Sequence, residues 1–145
     1  MAKFKPNAAN IAKLKQKIAL AYGNVIETLD AEYDAVIEDP NEFSDLGFDS
    51  QDIIDTGRFK DSKLLDVRTE NDRINAHWSW NPTDPETGYH YAAALYTGFM
   101  AYGKKWIPGR PWPDRAIARV DPPKALQAEM KLQGIPAKTR KRYTF

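Results

Sequence analysis

The sequence predicts an α+β domain in which a long N-terminal helix packs on a small antiparallel sheet, followed by short C-terminal helices and an extended basic arm. Three patterns carry that expectation. Apolar residues recur at alternating three- and four-residue spacings between Ile11 and Val36, apolar and polar residues alternate between Leu65 and Trp80, and Pro122-Pro123 and Gly134 bracket a short run near the C-terminus. The 145 residues suit one such domain, so residues 1–137 are expected to form it and residues 138–145 the basic arm.

Ile11, Leu14, Ile18, Tyr22, Val25, Leu29, Tyr33 and Val36 fall on one helical face, which predicts a helix from about Asn10 to Glu38. Asn7 or Asn10 can cap its start, Gly23 is its weak point, and Pro40 ends it by disfavouring the helical conformation of Asp39. The acidic, turn-rich stretch from Asn41 to about Asp52 reads as a loop anchored by Phe43, Leu46 and Phe48. Leu65 and Val67, with Ile74, Ala76, Trp78 and Trp80, predict a β-hairpin that turns at Glu70-Asn71-Asp72 and lays its apolar face on the helix stripe. Asn81 to Gly88 reads as an irregular surface loop. The run from Tyr89 to Gly98 is compatible with either helix or strand, because it is too short for periodicity to decide. Farther on, Asp121 is the expected N-cap of a helix over 122–133 that stops at Gly134, with Pro136 just beyond.

Composition excludes several kinds of chemistry. Without cysteine there are no disulfides, thiolate metal sites or cysteine nucleophiles. No apolar run approaches the length of a membrane span, and Lys13, Lys15 and Lys17 interrupt any signal-like segment, so no membrane partner is expected and the chain reads as cytoplasmic in origin. A metal site would need His77 or His90 with a carboxylate such as Glu86, but His77 is out of phase with Trp78 and Glu86 sits in a loop. No glycine-flanked serine elbow, phosphate-cradling loop or dinucleotide fingerprint occurs, so Ser44, Ser50, Ser62 and Ser79 read as structural. Neither enzymatic activity nor a cofactor is expected.

The net charge of +1 conceals a strong segregation. Residues 1–26 hold five lysines and no acid, residues 27–55 hold eleven acids and no Lys or Arg, and residues 104–145 carry eleven bases against three acids. So many clustered acids point to a solvated or partner-facing surface more readily than to a tuned acid–base pair. The basic third, interleaved with Trp106, Trp112 and Tyr143, suits either nucleic-acid contact or a protein interface, and composition does not separate the two.

Three blocks are more specific. They are Ile54-Asp55-Thr56-Gly57-Arg58-Phe59-Lys60-Asp61-Ser62, Tyr91-Ala92-Ala93-Ala94-Leu95-Tyr96-Thr97-Gly98, and Pro108-Gly109-Arg110-Pro111-Trp112. In order and spacing they resemble the phage neck proteins variously called tail completion, tail-to-head joining or minor capsid morphogenesis proteins. The motif positions that carry the resemblance are Asp55, Thr56, Gly57, Arg58, Ser62, Tyr91, Ala92, Gly98, Pro108, Arg110, Pro111 and Trp112. Each block also reads physically: Asp55-Thr56-Gly57 as a turn, 108–113 as a proline-stiffened crossing, and Arg110 as a structural clamp on carbonyls or a carboxylate. The resemblance implies a virion protein assembled in the host cytoplasm. It implies a homo-oligomeric ring, usually of six copies, between the connector or head-closure protein and the tail tube or sheath. It also implies transient passage of double-stranded DNA. A small basic nucleic-acid-binding module or nuclease toxin is the alternative, favoured by the basic third but leaving the acidic block without a role.

Two expectations follow for such a ring. Acids lining a DNA channel repel phosphate, so Glu27, Asp30, Glu32 and Asp34 are expected to face the lumen. The lysines near the start of the first helix and the acids near its end both oppose the helix macrodipole, which calls for a compensating partner. The expected partner is a neighbouring subunit, with the acidic block of one chain against the basic third of the next. The arm residues Arg140, Lys141, Arg142, Tyr143 and Phe145 would reach across that heterologous contact.

Overall fold

The computed structural model describes residues 8–48, 58–70 and 73–135. The proposed cap Asn7, the turn residues Asn71 and Asp72, the motif residues Asp55, Thr56 and Gly57, the domain boundary at 137 and the arm 138–145 lie outside them. The α+β architecture is the one predicted, with two two-stranded sheets in place of one.

The first helix, α1, spans Ala8–Glu38. Asn10 lies inside it and so does not cap it. At the other end Pro40 prevents continuation, and the Asp39 carboxylate accepts from the Asn41 N–H at 2.9 Å. Only the second half of the predicted stripe is buried: Val25, Leu29, Tyr33 and Val36, joined by Ala21 and Ile37, whereas Ile11 and Leu14 remain exposed. The core sits at that second half. A short 3-10 turn at Ser44–Leu46 brings Phe43 into the core, with Leu46 and Phe48 packed beside it.

A single helical turn, α2 (Arg58–Asp61), delivers Phe59 to the same core. The hairpin that follows pairs β1 (Leu64–Glu70) with β2 (Arg73–Ser79), placing Leu65 opposite Trp78, Val67 opposite Ala76 and Thr69 opposite Ile74. That register puts the predicted apolar residues on one face, because directly paired residues in an antiparallel ladder share a side. Contact with the helix is nevertheless made only at the Trp78 end. Leu65 and Val67 stay exposed, at 39% and 48%. The expectation that they face the helix stripe is therefore corrected.

Within the run from Tyr89 to Gly98 only Ala92–Thr97 is helical (α3); it passes directly into β3 (Gly98–Ala101), which pairs with β4 (Lys105–Pro108). Sequence reading had no hairpin there. Two helices close the fold: α4 (Trp112–Val120) and α5 (Pro122–Leu132), both packed along α1. Asp121 separates them and is the N-cap residue of α5, as expected, although its side chain makes no capping bond; it takes φ 49°, so the break comes from its left-handed backbone and the two prolines after it. The stop at Gly134 is as predicted: its N–H donates to the Lys131 carbonyl at 2.9 Å while Ile135 donates to Met130 at 2.8 Å.

An aromatic cluster joins these elements. Trp112, 4% exposed, meets Phe59 edge-on at 4.6 Å, Trp80 at 5.6 Å and Tyr96 at 5.9 Å, while Tyr33 of α1 sits 5.2 Å from Trp78 and 5.0 Å from Trp80. Burying each large side chain contributes roughly 1.5–3 kcal/mol, with aromatic geometry adding about 0.5–1.5 kcal/mol per pair. This cluster, at the C-terminal half of α1, ties helix, ribbon and C-terminal helices into one body.

Candidate interaction surfaces

The acids of 27–48 are answered mainly from within the chain. Asp30 and Asp34, one helical turn apart on α1, both bond the Lys63 ammonium at 2.9 Å, and Asp30 also accepts the Trp78 indole N–H at 3.0 Å. Burial alone would raise the Asp30 pKa, but the bonds from Lys63 and Trp78 outweigh it and hold the carboxyl below the usual carboxylate value. Burial likewise works against the Lys63 charge, and the bonds from Asp34 and Asp30 overcome it, keeping its pKa raised. Lys60 pairs with Glu38 at the last turn of α1.

A second group of cations comes from α4. Arg119 donates to Glu32 at 3.0 Å, to Asp39 at 3.0 Å and to Glu42, while Arg115 donates to Asp45 at 2.7 Å and lies 3.9 Å from Glu42. The Asn41 N–H and then Arg119 lower the Asp39 pKa, and Arg115 lowers that of Asp45. These cations surround the negative end of the α1 dipole, where positive charge is favourable. The compensating partner expected in a neighbouring subunit is thus largely supplied by the same chain: the acidic block meets the basic third through Arg115 and Arg119, as one folded body. Of the four acids expected to face a lumen, Asp30, Glu32 and Asp34 have these internal partners and Glu27 is exposed.

The structure brings the described parts of all three motif blocks together, Phe59 of the first meeting Trp112 of the third at 4.6 Å. The Arg110 N–H donates to the Leu95 carbonyl at 2.7 Å, and Gly98 and Gly109 allow the two backbones to meet. A Cβ on Gly109 would lie 2.1 Å from the Tyr96 carbonyl oxygen, and one on Gly98, which takes φ +93°, would lie 2.7 Å from the Ile107 carbonyl oxygen. Tyr91 and Ala92 pack against the core, Pro108 ends β4, and the Pro111 carbonyl accepts from Arg115 in the first turn of α4. The Arg110 guanidinium lies 4.6 Å above the Phe48 ring, a cation–π contact. From the first block, Arg58 opens α2 and the Ser62 hydroxyl donates to the Phe59 carbonyl at 2.6 Å. The central place of Trp112 was not anticipated. Its signal was present, since Trp112, Ala116 and Val120 follow one another at helical spacing and mark the buried face of α4.

Several apolar faces are left in solvent. On the first ribbon Leu65 and Val67 share one exposed face and Leu64, 66% exposed, lies on the other; on the second hairpin Met100, Tyr102 and Trp106 are 55%, 99% and 57% exposed; on α1 the first half shows Ile11, Leu14 and Leu20. Thr83 and His90 meet at 3.2 Å across an isolated bridge that fastens the 81–91 loop. Among the described residues no three His, Asp or Glu side chains converge as a metal site would require, and no helix is long and apolar enough to cross a membrane. No protein-family model, curated protein or solved structure matches the chain.

Proposed function

We propose that this chain is a structural subunit of a tailed-phage neck or tail end, assembling with copies of itself into a ring of about six that joins the connector to the tail tube and lets duplex DNA pass. The observation that carries the reading is the set of apolar faces that the single chain leaves uncovered, above all Leu65 and Val67, which share one face of the first ribbon. A two-stranded ribbon is marginal alone, and contiguous exposed apolar side chains mark an interaction surface. The ordered blocks ending at Trp112 support the same class by resemblance, and the meeting of the second and third blocks at Gly98 and Gly109 gives their glycines a shared structural reason.

The nuclease-toxin alternative draws on the basic C-terminal third as a whole. It is weakened by the use of Trp112 in the core and of Arg115 and Arg119 against acids of the same chain. Light scattering on the purified chain, with electron microscopy of negatively stained particles, tests the proposal: closed rings are expected, and their loss on deletion of residues 138–145 would assign the arm to the contact. A chain that stays monomeric at high concentration and cleaves nucleic acid would overturn the ring reading.

A further inference from the structure

The basic, aromatic third of the chain divides into side chains already used by the fold and side chains left in solvent. Trp112 is buried, Arg115 and Arg119 are bonded to acids, and Lys124 lies 3.7 Å from Asp121. The β3–β4 hairpin keeps Tyr102, Lys104, Lys105 and Trp106 exposed. No Asp or Glu occurs between Thr87 and Pro113, so nothing along this stretch offsets the two lysines.

The geometry of the hairpin holds these groups outward. Met100 and Trp106 are register partners and share a face, and the Trp106 ring passes over Gly98, where a Cβ would come within 2.7 Å of it. At the tip Tyr102 and Gly103 both take the left-handed conformation, with φ 52° and 65°. That backbone is costly for a tyrosine, and at 99% exposure the ring gains no packing in return. At the foot of the same hairpin Tyr89, Phe99 and Met100 help to line an apolar groove of about 370 Å³.

We infer that the β3–β4 hairpin is a nucleic-acid-binding finger for single strands, in which Tyr102 and Trp106 stack on bases, Lys104 and Lys105 neutralise phosphates, and the groove at its foot receives an unstacked base. Single strands are the fitting ligand because their base faces are open to stacking, whereas a duplex hides them. A membrane is a poorer fit: the lysines sit at the tip itself, so burying the rings would carry two ammonium groups to the same depth. A protein partner is also less suited, since lysine is depleted from interface centres. The inference does not depend on ring formation, since each group belongs to one chain.

Fluorescence anisotropy with labelled oligo(dT) and a duplex of equal length tests it on the full chain. Wild type is expected to bind the single strand more tightly. Tyr102→Gly removes the ring and relieves the backbone, so the fold is retained and affinity falls about tenfold. The double change Lys104→Ala, Lys105→Ala is expected to reduce the slope of log K against log salt by about 1.4. Trp106→Phe should lose most of the tryptophan quenching seen when wild type is saturated. Unaltered binding by the three finger variants, with loss only on deletion of 138–145, would overturn the inference. So would binding to phosphatidylserine-containing vesicles in place of oligo(dT), or loss of self-association as the sole effect of the Trp106 change.

Discussion

Arg119 of α4 donates to Glu32 of α1 at 3.0 Å, and the same guanidinium also bonds Asp39 and Glu42 beyond the helix end. One cation thereby holds the last turns of α1, the turn that follows and α4 in a single arrangement. Its removal leaves three carboxylates facing one another near the negative end of a helix dipole.

Arg119→Ala is expected to lower stability by about 1–2 kcal/mol, because each partly exposed pair is worth only about 0.2–1 kcal/mol after solvent screening. Arg119→Lys should recover no more than part of that loss, as an ammonium lacks the planar fork that reaches several acids. Urea unfolding at low ionic strength measures both, and the differences should shrink in high salt. Identical midpoints for wild type and Arg119→Ala would remove this contact from the account of stability.

The glycines divide sharply. Gly109→Ala places a methyl group 2.1 Å from the Tyr96 carbonyl oxygen and should cost about 3 kcal/mol or more, enough to unfold a marginal domain. Gly23 lies within α1 with nothing inside 4 Å of an added Cβ, so Gly23→Ala is expected to stabilise by about 0.5–1 kcal/mol. Thermal midpoints moving in opposite directions are the expected result. A destabilising Gly23→Ala would mean that α1 is bent or packed there in some other way.

What the sequence disclosed is what repeats at short range. The stripe from Val25 to Val36 and the alternation into Trp78 and Trp80 identified helix and ribbon, since each period reflects which face is buried. Ile11 and Leu14 carry the same periodicity yet lie exposed, because a stripe encodes a face and not the length over which a partner covers it. The α3–β3 junction was undetermined for a different reason: its course depends on Gly98 meeting Gly109, a contact between residues that no local period links. The charge segregation was plain, but opposite charges distant in sequence have no address until the fold exists. Arg119 finds Glu32 only once α4 has docked on α1.

The ion pairs also set a pH window. Asp30, Asp39 and Asp45 lie below their usual 3.8, so the folded chain binds fewer protons than the unfolded one; their stabilisation is present above that value and is lost as pH falls through the depressed ones. Lys63 lies above its usual 10.5, and burial followed by the charge of Asp114 raises Tyr33 above its usual 10.0. Those contributions are present below the usual values and are lost as pH rises through the raised ones. Thermal midpoints should therefore be flat from roughly pH 5 to 9 and fall on both sides. Lys63→Met should lower the plateau and reduce both slopes, since it removes a titrating base and a partner of Asp30.

The first ribbon separates folding from assembly. Leu65 and Val67 share a face with Trp78, yet only Trp78 reaches the core, through Tyr33 at 5.2 Å and the Asp30 carboxylate at 3.0 Å. Replacing both exposed residues, Leu65→Ser with Val67→Ser, should change the unfolding free energy of the dilute single chain by no more than about 0.5 kcal/mol. Trp78→Ser should cost about 3 kcal/mol or more, because it removes a packed aromatic and leaves the Asp30 carboxylate without its indole donor. On the proposed ring function the double variant folds but populates smaller species by light scattering, since serine takes away the apolar area that a neighbouring copy would bury. A double variant that unfolds as readily as Trp78→Ser would show that the ribbon face is needed within the single chain. One that folds and still assembles normally would move the subunit contact elsewhere.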